Sequence, residues 1–379
     1  MRANNILGIV FANVNDNLLP NLTKKRSMAS VPFAGRYRLV DFTLSNLTNA
    51  GISQVGIITK ENYQSLMDHI GSGREWDLDR KSGGLFILPP FVSGGIGDGV
   101  YKTHLEALKS IINFLKRAKQ DYVAICDSDL VANLDIGEMF RQHIEDEADF
   151  TIAYKYGKLP KNHERTMVVS VSDNRRIEKI EYVKERTNAD YSLDILLTRR
   201  LFLIDLIEKA VAEGKNSLSR DILALSLDKY KVMGYKIEGF AEVIDTPKTY
   251  YDLNMKMLDS KVRKQLFSCE RPIYTKTHDS MPAKYCIGSN VTNSLIADGC
   301  VIEGTVKNSI LFRNVTVKKG AVVENSIIMQ NADIEENAKV SYAVMDKVST
   351  VAKHCVLEGT KQKIALLEKG ETQKQLRGM

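Results

Sequence analysis

The amino-acid sequence predicts a protein in which a doubly wound, mostly parallel α/β sheet is followed by a β-solenoid. The chain has 379 residues, which is long enough for two domains of ordinary size. Up to about residue 255, short apolar runs alternate with segments of helical periodicity. From about residue 286, a short Asn-Ser-aliphatic motif recurs every 15–17 residues instead, and long helical stripes are absent.

The N-terminal part alternates strand and helix patterns. Residues 6–12 form a continuous apolar run, as expected of a central parallel strand that is covered on both faces. A helix is predicted at residues 41–50, where the apolar side chains fall on one side. The same alternation continues with strand 55–59, helix 104–119, strand 122–126 and strand 150–156. Such βαβ units predict a sheet whose ligands bind beyond the carboxyl ends of its strands.

The C-terminal part repeats one motif. NSLI begins at Asn293, NSIL at Asn308, NSII at Asn325 and the looser SYAVM at Ser341. Three short strands per coil, with aliphatic residues inside and Gly, Asn or Asp at the corners, are typical of a β-solenoid. A flat β-sandwich is the alternative, although near-constant spacing of this motif is unusual in that fold. The predicted domains are residues 1–255 and 286–379, joined by a linker at 256–285.

Composition excludes several classes of protein. The chain has 53 Lys+Arg and 47 Asp+Glu, a surplus too diffuse for a nucleic-acid surface. The first apolar run is too short for a signal peptide or a membrane span. The five cysteines show no CxxC or Cys/His ligand spacing, which favours free thiols in a reducing compartment, with a metal site or disulfides as the alternative. We therefore expect a cytoplasmic protein without a nucleic-acid or membrane partner.

Several long segments carry a specific resemblance. They are VPFAGRYRLVDFTLSNLTNAGI at 31–52, VGIITKENYQSLMDHIGSGREWDLD at 55–79, DYVAICDSDLVANLDI at 121–136 and FAEVIDTPKTYYDLNMKMLD at 240–259. Together with the solenoid, they resemble bacterial ADP-glucose pyrophosphorylases (glucose-1-phosphate adenylyltransferases). The resemblance implies a Rossmann-like nucleotide-sugar transferase domain and a left-handed parallel β-helix. Within the family, the chain looks most like the D-type subunit of Gram-positive bacteria, which is the regulatory partner of a catalytic subunit.

The nucleotide loop departs from the family pattern. Nucleotidyl transfer needs positioning, neutralisation of phosphate charge and Mg²⁺. The family pattern after the first strand is close to GGxGxRL, with a lysine about ten residues further on, because bare N–H groups must approach the triphosphate. Here Leu18 stands at the position of the arginine and Met28 at that of the lysine. The aligned stretch has no glycine: it is Asn13, Val14, Asn15, Asp16, Asn17 and Leu18. We expect a degenerate loop; a rearranged but working loop is the alternative.

The metal site is reduced as well. Asp129 matches the family's metal-binding aspartate and is a vestigial candidate, with a solvated turn carboxylate as the alternative. The second carboxylate belongs to a motif like WRDVGT, in which Val243 replaces the aspartate. Glu242 or Asp245 would compensate only through a shift of one or two residues. Mg²⁺ is the family's cofactor, and we do not expect this chain to hold it as its relatives do.

The sugar-phosphate motif, FVEKP-like in the family, is altered here to YVKER. Glu185 falls on the lysine position, with Lys184 beside it, and a carboxylate beside a phosphate repels it. A register slip that rescued Lys184 would turn its side chain to the other face of the strand. In the GTADA-like stretch, His104 is expected to be the N-terminal residue of a helix, with a catalytic base as the alternative.

Three arginines are candidates for effector binding. Arg26, Arg36 and Arg38 are retained, and family cations at positions like Arg26 and Arg36 contribute to a site for phosphorylated effectors between the domains. The alternative is a solvated basic face.

Taken together, the resemblance and the altered motifs predict a regulatory subunit of glucose-1-phosphate adenylyltransferase in glycogen biosynthesis. Alone it would be inactive or very weak. Its expected partner is a catalytic subunit, in a hetero-oligomer of the tetrameric type that the family forms, with a phosphorylated metabolite as effector. Two alternatives stay open: an active sugar nucleotidyltransferase with an altered loop, or a stand-alone sensor of a sugar phosphate or nucleotide.

Overall fold

The structure is a computed structural model that describes residues 3–13, 15–89, 101, 103–160, 166–183 and 188–374. Its N-terminal strands are β1 (Ile6–Phe11), β2 (Pro32–Phe33), β3 (Tyr37–Arg38), β4 (Gln54–Ile58), β5 (Gly84–Leu88), β6 (Tyr122–Asp127), β7 (Leu130–Ala132), β8 (Phe150–Lys158), β9 (Thr166–Val171), β10 (Ile177–Val183), β11 (Asn188–Arg199), β12 (Val232–Lys236) and β13 (Ala241–Val243). Its α-helices are α1 (Pro20–Thr23), α2 (Leu39–Asn49), α3 (Gln64–Ile70), α4 (His104–Ser110), α5 (Ile112–Arg117), α6 (Ile136–Glu145), α7 (Arg200–Ala212), α8 (Pro247–Lys256) and α9 (Ser260–Leu266). Within these residues, no helix has the length and apolar character to cross a membrane.

A nine-stranded sheet forms the centre of the N-terminal domain. Its main path runs β10, β9, β11, β6, β1, β4 and β5, and β8 and β12 join it through β11. The strands β6, β1, β4 and β5 are parallel, whereas β11 lies antiparallel to β6. The predicted doubly wound sheet is confirmed; it is parallel in this half and mixed in the other.

Strand β1 lies between two hydrophobic cores. Leu7, Ile9 and Phe11 contribute to one core, and Ile6 and Val10 to the other. Successive side chains of a strand point to opposite faces of the sheet, so a continuous apolar run is buried on both sides. This is the reason that residues 6–12 show no polar alternation.

The predicted helix at 104–119 is divided into two shorter helices. α4 ends at Ser110 and α5 begins at Ile112, with Ile111 between them. Leu105, Leu108 and Leu115 are buried on the same side of both helices. The apolar stripe therefore continues across the break, and periodicity alone does not reveal it.

The C-terminal domain is the predicted left-handed β-helix, in which each coil contributes one strand to each of three parallel sheets. The first sheet contains β14 (Lys284–Tyr285), β17 (Val301–Ile302), β20 (Thr316–Val317), β23 (Asp333–Ile334), β26 (Thr350–Val351) and β29 (Thr372–Gln373). The second contains β15 (Asn290–Thr292), β18 (Thr305–Lys307), β21 (Val322–Glu324), β24 (Lys339–Ser341) and β27 (Val356–Glu358). The third contains β16 (Leu295–Ile296), β19 (Ile310–Leu311), β22 (Ile327–Ile328), β25 (Ala343–Met345) and β28 (Ala365–Leu367).

The repeated Asn-Ser pair forms one corner of each coil. Asn293, Asn308 and Asn325 have φ values of 44°, 44° and 48°, a left-handed conformation that asparagine tolerates better than most residues. The serines stack: the backbone N–H of Ser309 donates to the hydroxyl of Ser294 at 3.1 Å, and the next coil repeats this bond. The motif therefore recurs because each coil needs the same turn.

The two domains share a hydrophobic core. Side chains from the N-terminal domain, α8 and α9 pack against the solenoid residues Ile310, Phe312, Ile327, Met329 and Val344. The hydroxyl of Tyr251, in α8, also donates to the backbone oxygen of Asn325 at 2.6 Å. A solenoid corner and the N-terminal domain are thus packed directly against each other. The predicted domain boundaries stay a prediction.

Candidate functional site

The loops that follow β1 and β6 meet at the carboxyl edge of the parallel sheet. The two strands pair in register from Ile6 opposite Tyr122 to Phe11 opposite Asp127. The hydroxyl of Ser128 donates to the backbone oxygen of Phe11 at 2.8 Å. Residues 13–18 therefore lie beside the aspartates of residues 127–129, where ligands of such sheets bind.

The loop after β1 is closed by its own carboxylate. Asp16 accepts hydrogen bonds from the side-chain amide of Asn13 at 2.7 Å and from the backbone N–H of Met28 at 2.6 Å. Burial raises the pKa of Asp16 to about 6, against the opposing effect of these two hydrogen bonds. The N–H at the position of the family lysine is thus used within the chain. Of the remaining loop residues, Leu18 is buried, Asn17 is exposed, and Val14 lies outside the described residues.

The two aspartates after β6 also have donors from the chain. The amide nitrogen of Asn15 lies 2.7 Å from Oδ2 of Asp129 and 3.5 Å from Oδ2 of Asp127. Nε2 of His104 lies 2.8 and 3.1 Å from the two carboxylate oxygens of Asp127. The crevice between the loop and this turn has a cavity volume of about 0 Å³. Loop and turn are therefore in direct contact.

His104 is the first residue of α4, as predicted, and its ring faces the site. It packs edge-on against Phe11, with ring centroids 4.5 Å apart. Burial lowers its pKa, but the charge and hydrogen bond of Asp127, with further contributions from Asp194 and Asp129, raise the pKa of His104 to about 9. At neutral pH the ring is therefore a cation among carboxylates.

The second metal carboxylate has no replacement at this edge among the described residues. Val243 pairs with Leu130 beside the aspartate turn, and the N–H of Ile244 donates to the backbone oxygen of Asp129 at 2.9 Å. Glu242 lies 3.7 Å from Lys155 and 3.5 Å from Lys256. The carboxylate of Asp245 accepts from the hydroxyl of Thr249 at 2.5 Å.

No group of three His, Cys, Asp or Glu side chains arranged to hold a metal occurs in the part of the chain that the structure describes. Asp127 and Asp129 have internal donors as well, so a Mg²⁺ ion at this turn would compete with those donors for its carboxylate oxygens.

A cavity of about 160 Å³ lies next to the aspartate turn. A bulge in β11 between Ser192 and Leu196 places Asp194 there, with φ of 54°. The lining is rich in hydroxyl and acidic groups, and Arg220 stacks over the ring of Tyr182 at 5.3 Å. The lining residues are Asn15, His104, Asp127, Pro160, Thr166, Met167, Tyr182, Ser192, Asp194, Ser217, Ser219, Arg220 and Val243. Lys184 and Glu185 lie outside the described residues.

The three effector candidates all have protein partners. Arg26 is buried, with its Nη2 2.8 and 2.9 Å from the two oxygens of Asp346 in the solenoid. Arg36 is exposed and lies 3.4 Å from Asp298. Arg38 donates to the backbone oxygen and to the hydroxyl of Ser65, the latter at 2.9 Å. Arg26 therefore joins the two domains.

Further cations lie near this ion pair. The charges of Arg38, Arg26 and Lys369 act on Lys347, and Asp346 opposes them. Burial, Arg38 and Arg26 together lower the pKa of Lys347 to about 7. We call Arg26, Arg38, Lys347 and Lys369 the interdomain cation cluster. Asp346 offsets part of this positive charge, as do Asp41 and Asp68, whose charges act on Arg38.

Sequence reasoning missed several of these residues. Asp194 enters the cavity because of a strand bulge, which no local pattern reveals. Asp346 and Lys347 lie far along the sequence from the residues that they face in the N-terminal domain. Arg26 and Asp346, for example, are 320 residues apart in the chain. Asn15 stood out only as a lost glycine. Its hydrogen bond to Asp129 could have been inferred from one feature of the sequence. A polar side chain replaces a loop glycine there, while the aspartate of the facing turn is retained.

Known proteins match the chain over almost its full length. The family model for nucleotidyl transferases matches residues 16–185, and that for the GlmU-like C-terminal hexapeptide matches residues 281–363. The glycogen biosynthesis protein GlgD of Bacillus subtilis (strain 168) is 36% identical over 379 residues, covering 98% of each chain. GlgD of Geobacillus stearothermophilus is 38% identical over 326 residues, 84% of this chain and 83% of the relative. The glucose-1-phosphate adenylyltransferase of Bacillus thuringiensis (strain Al Hakam) is 34% identical over 324 residues, 84% of this chain and 85% of the relative.

Proposed function

The chain belongs to the family of glucose-1-phosphate adenylyltransferases and GlgD glycogen biosynthesis proteins, and we propose that it is a regulatory subunit of that enzyme. In this proposal, a separate catalytic chain converts ATP and glucose 1-phosphate to ADP-glucose and pyrophosphate in the cytoplasm. This chain joins it in a hetero-oligomer, a tetramer in total, and changes its rate or its response to effectors.

The observation that carries the proposal is the closure of the nucleotide loop by its own side chains. The carboxylate of Asp16 accepts a hydrogen bond from the backbone N–H of Met28, and the side-chain amide of Asn15 donates one to Asp129. A triphosphate in this loop would meet the carboxylate of Asp16 and would lack the lysine that relatives have at the position of Met28. Each lost contact of this kind costs about 2–4 kcal/mol of transition-state stabilisation. The scaffold is kept while the groups that neutralise phosphate are replaced, which favours a regulatory role.

The interdomain cation cluster supports a role for a phosphorylated effector. Lys347 and Arg38 lie at the face where the solenoid meets the N-terminal domain, and the pKa of each is lowered, first by burial. An anion bound there would offset the repulsion among these cations and contact both domains at once. Its binding would therefore stabilise one arrangement of the domains, which is the physical requirement for allosteric control.

The experiment is to express the chain with a catalytic relative, purify the complex, and measure ADP-glucose formation by each chain alone and mixed. We expect the mixture to differ from the catalytic chain in rate or in effector response. Asp129→Ala in this chain should leave that difference unchanged, since Asp129 has no catalytic task here. An unchanged catalytic profile on mixing would reject the proposal.

A second candidate is an active nucleotidyltransferase, favoured by the retained aspartates and the adjoining cavity of about 160 Å³. It predicts ADP-glucose formation by the isolated chain that Asp129→Ala abolishes. The third candidate, a stand-alone sensor, predicts binding of a sugar phosphate or nucleotide without association with any catalytic chain. The same set of purified proteins separates the three.

A further inference from the structure

We propose that the side chains of His104 and Asn15 stand where relatives place a divalent cation, so that the aspartate turn of this chain is held by protein donors in place of a metal. The inference rests on the proposed regulatory function and deepens it, because it names the residues that keep the subunit free of Mg²⁺. The motivating observation is that Asp129, the candidate metal ligand, and the neighbouring Asp127 already have donors within the chain.

The donors contact both carboxylates. Nε2 of His104 lies within 3.1 Å of each oxygen of Asp127, as a bifurcated donor does. The amide of Asn15 lies 2.7 Å from Asp129 and 3.5 Å from Asp127, so it bridges the two residues. A Mg²⁺ ion needs carboxylate oxygens at about 2.0–2.1 Å in a near-ideal octahedron. Both oxygens of Asp127 and Oδ2 of Asp129 are instead used by nitrogen donors.

Packing keeps the donors in place. The His104 ring packs edge-on against Phe11. The crevice lined by Phe11, Asn15 and Met28 has a cavity volume of about 0 Å³. Asn15 belongs to a loop that Asp16 fixes through Met28. A cation that contacts both carboxylates would therefore have to displace two packed side chains before it could bind.

The same geometry predicts what happens without the donors. Asp127 and Asp129 are buried, at 4% and 3% exposure, and two buried carboxylates near each other are unfavourable unless a positive or donor group compensates them. Truncation of His104 and Asn15 removes these two donors and opens space beside both carboxylates. A divalent cation is then the group that best neutralises the negative charge of the two carboxylates. The double truncation should therefore create cation affinity that the native chain does not have.

The test uses Mn²⁺, whose free form is counted by its paramagnetic resonance signal, and the full-length chain. We expect the wild-type chain to leave the Mn²⁺ signal unchanged at equimolar concentration. His104→Ala/Asn15→Ala should bind one Mn²⁺ at least tenfold more tightly, and adding Asp129→Asn should abolish that gain. The matched control is His278→Ala, which removes an exposed histidine elsewhere and should behave as wild type. Mn²⁺ should also raise the melting temperature of the double variant only.

Two results would overturn the inference. One is tight Mn²⁺ binding by the wild-type chain that Asp129→Asn removes, a measurement that needs no destabilised variant. The other is a folded double variant, judged by circular dichroism, that binds Mn²⁺ no better than wild type. Neither result bears on the mixing assay: a chain that holds Mn²⁺ and still changes its catalytic partner would contradict this inference and leave the regulatory proposal intact.

Discussion

The buried ion pair between Arg26 and Asp346 is expected to be a main determinant of how firmly the solenoid is held to the N-terminal domain. Both side chains are 2% exposed, and one guanidinium nitrogen reaches both carboxylate oxygens. Removing one partner of such a pair costs about 3–5 kcal/mol, because the other charge stays buried. Asp346→Asn should reach the upper end, since Arg26 is then left with the repulsion of Arg38 and Lys347.

Arg26→Met should cost less, about 2–3 kcal/mol, below the usual range for a broken buried pair. The carboxylate of Asp346 would keep the hydrogen bond from the backbone N–H of Lys347, at 2.6 Å, and the attraction of the Lys347 ammonium group. Nη1 of Arg26 lies 4.0 Å from the sulfur of Met329, and a methionine at position 26 would fill part of the same space. The two single substitutions should therefore differ in a fixed direction, with the loss of Asp346 the more damaging.

The assay is equilibrium unfolding in urea, followed by the fluorescence of the chain's one tryptophan, Trp76. The double variant Arg26→Met/Asp346→Leu is the control, because it removes both charges and should lie within about 1–2 kcal/mol of wild type. The single variant Asp346→Leu, expected to cost as much as Asp346→Asn, closes the cycle. The summed single costs less the cost of the double variant then give a coupling energy of about 5–7 kcal/mol. Single substitutions that each cost less than about 1 kcal/mol, with no coupling, would show that the pair does not hold the domains together.

Substitutions at three other positions test separate parts of the structure. Val348→Asn should raise the free energy of unfolding by about 1 kcal/mol in urea titrations, because a β-branched residue is strained at φ 60° in a solenoid corner. Sulfate, whose charge is constant in this range, should bind the interdomain cation cluster several-fold more weakly at pH 8 than at pH 6 by calorimetry. The reason is that Lys347 loses its proton near its lowered pKa of about 7, and Lys347→Met should remove the pH dependence. Burial and Arg199 lower the pKa of His143 to about 4, so wild-type stability should fall by up to about 3 kcal/mol between pH 6.5 and pH 4, and His143→Gln should reduce this loss.

Each of these predictions has a matched control. Val356 is an exposed valine within a strand, so Val356→Asn should not stabilise the chain. Lys319→Met removes an exposed solenoid lysine and should leave the pH dependence of sulfate binding unchanged. His354→Asn removes an exposed histidine and should leave the acid sensitivity of unfolding unchanged. A control that behaves like its test variant would contradict the corresponding argument.

The fold was predictable where burial imposes a period on the sequence. β1, β4 and β6 were visible as apolar runs because both faces of the sheet are covered, and the solenoid was visible because each coil repeats one corner. The break at Ile111 was not predictable, since the apolar stripe of α4 continues into α5. Periodicity reports which side of a helix is buried and is silent on where the backbone is interrupted.

The sequence showed which family residues are missing from the candidate site. It did not show which side-chain contacts replace them. The absence of glycine in residues 13–18 could be seen in the sequence, whereas the bond from Asn15 to Asp129 depends on two strand ends lying side by side. His104 has the sequence signature of a helix N-terminus, and its contact with Asp127 follows from sheet order. Arg26 stays a predicted effector-binding candidate, and its buried ion pair with Asp346 joins it to a partner that no local pattern indicates.

The most direct measurement of the central claim is ADP-glucose formation by the isolated chain, with ATP, Mg²⁺ and glucose 1-phosphate in excess. A nucleotide loop that is closed by Asp16 and Asn15 predicts turnover at least about a thousandfold below that of a catalytic relative, given the loss of several phosphate contacts. A rate in the ordinary range of those relatives, abolished by Asp129→Ala, would contradict the account.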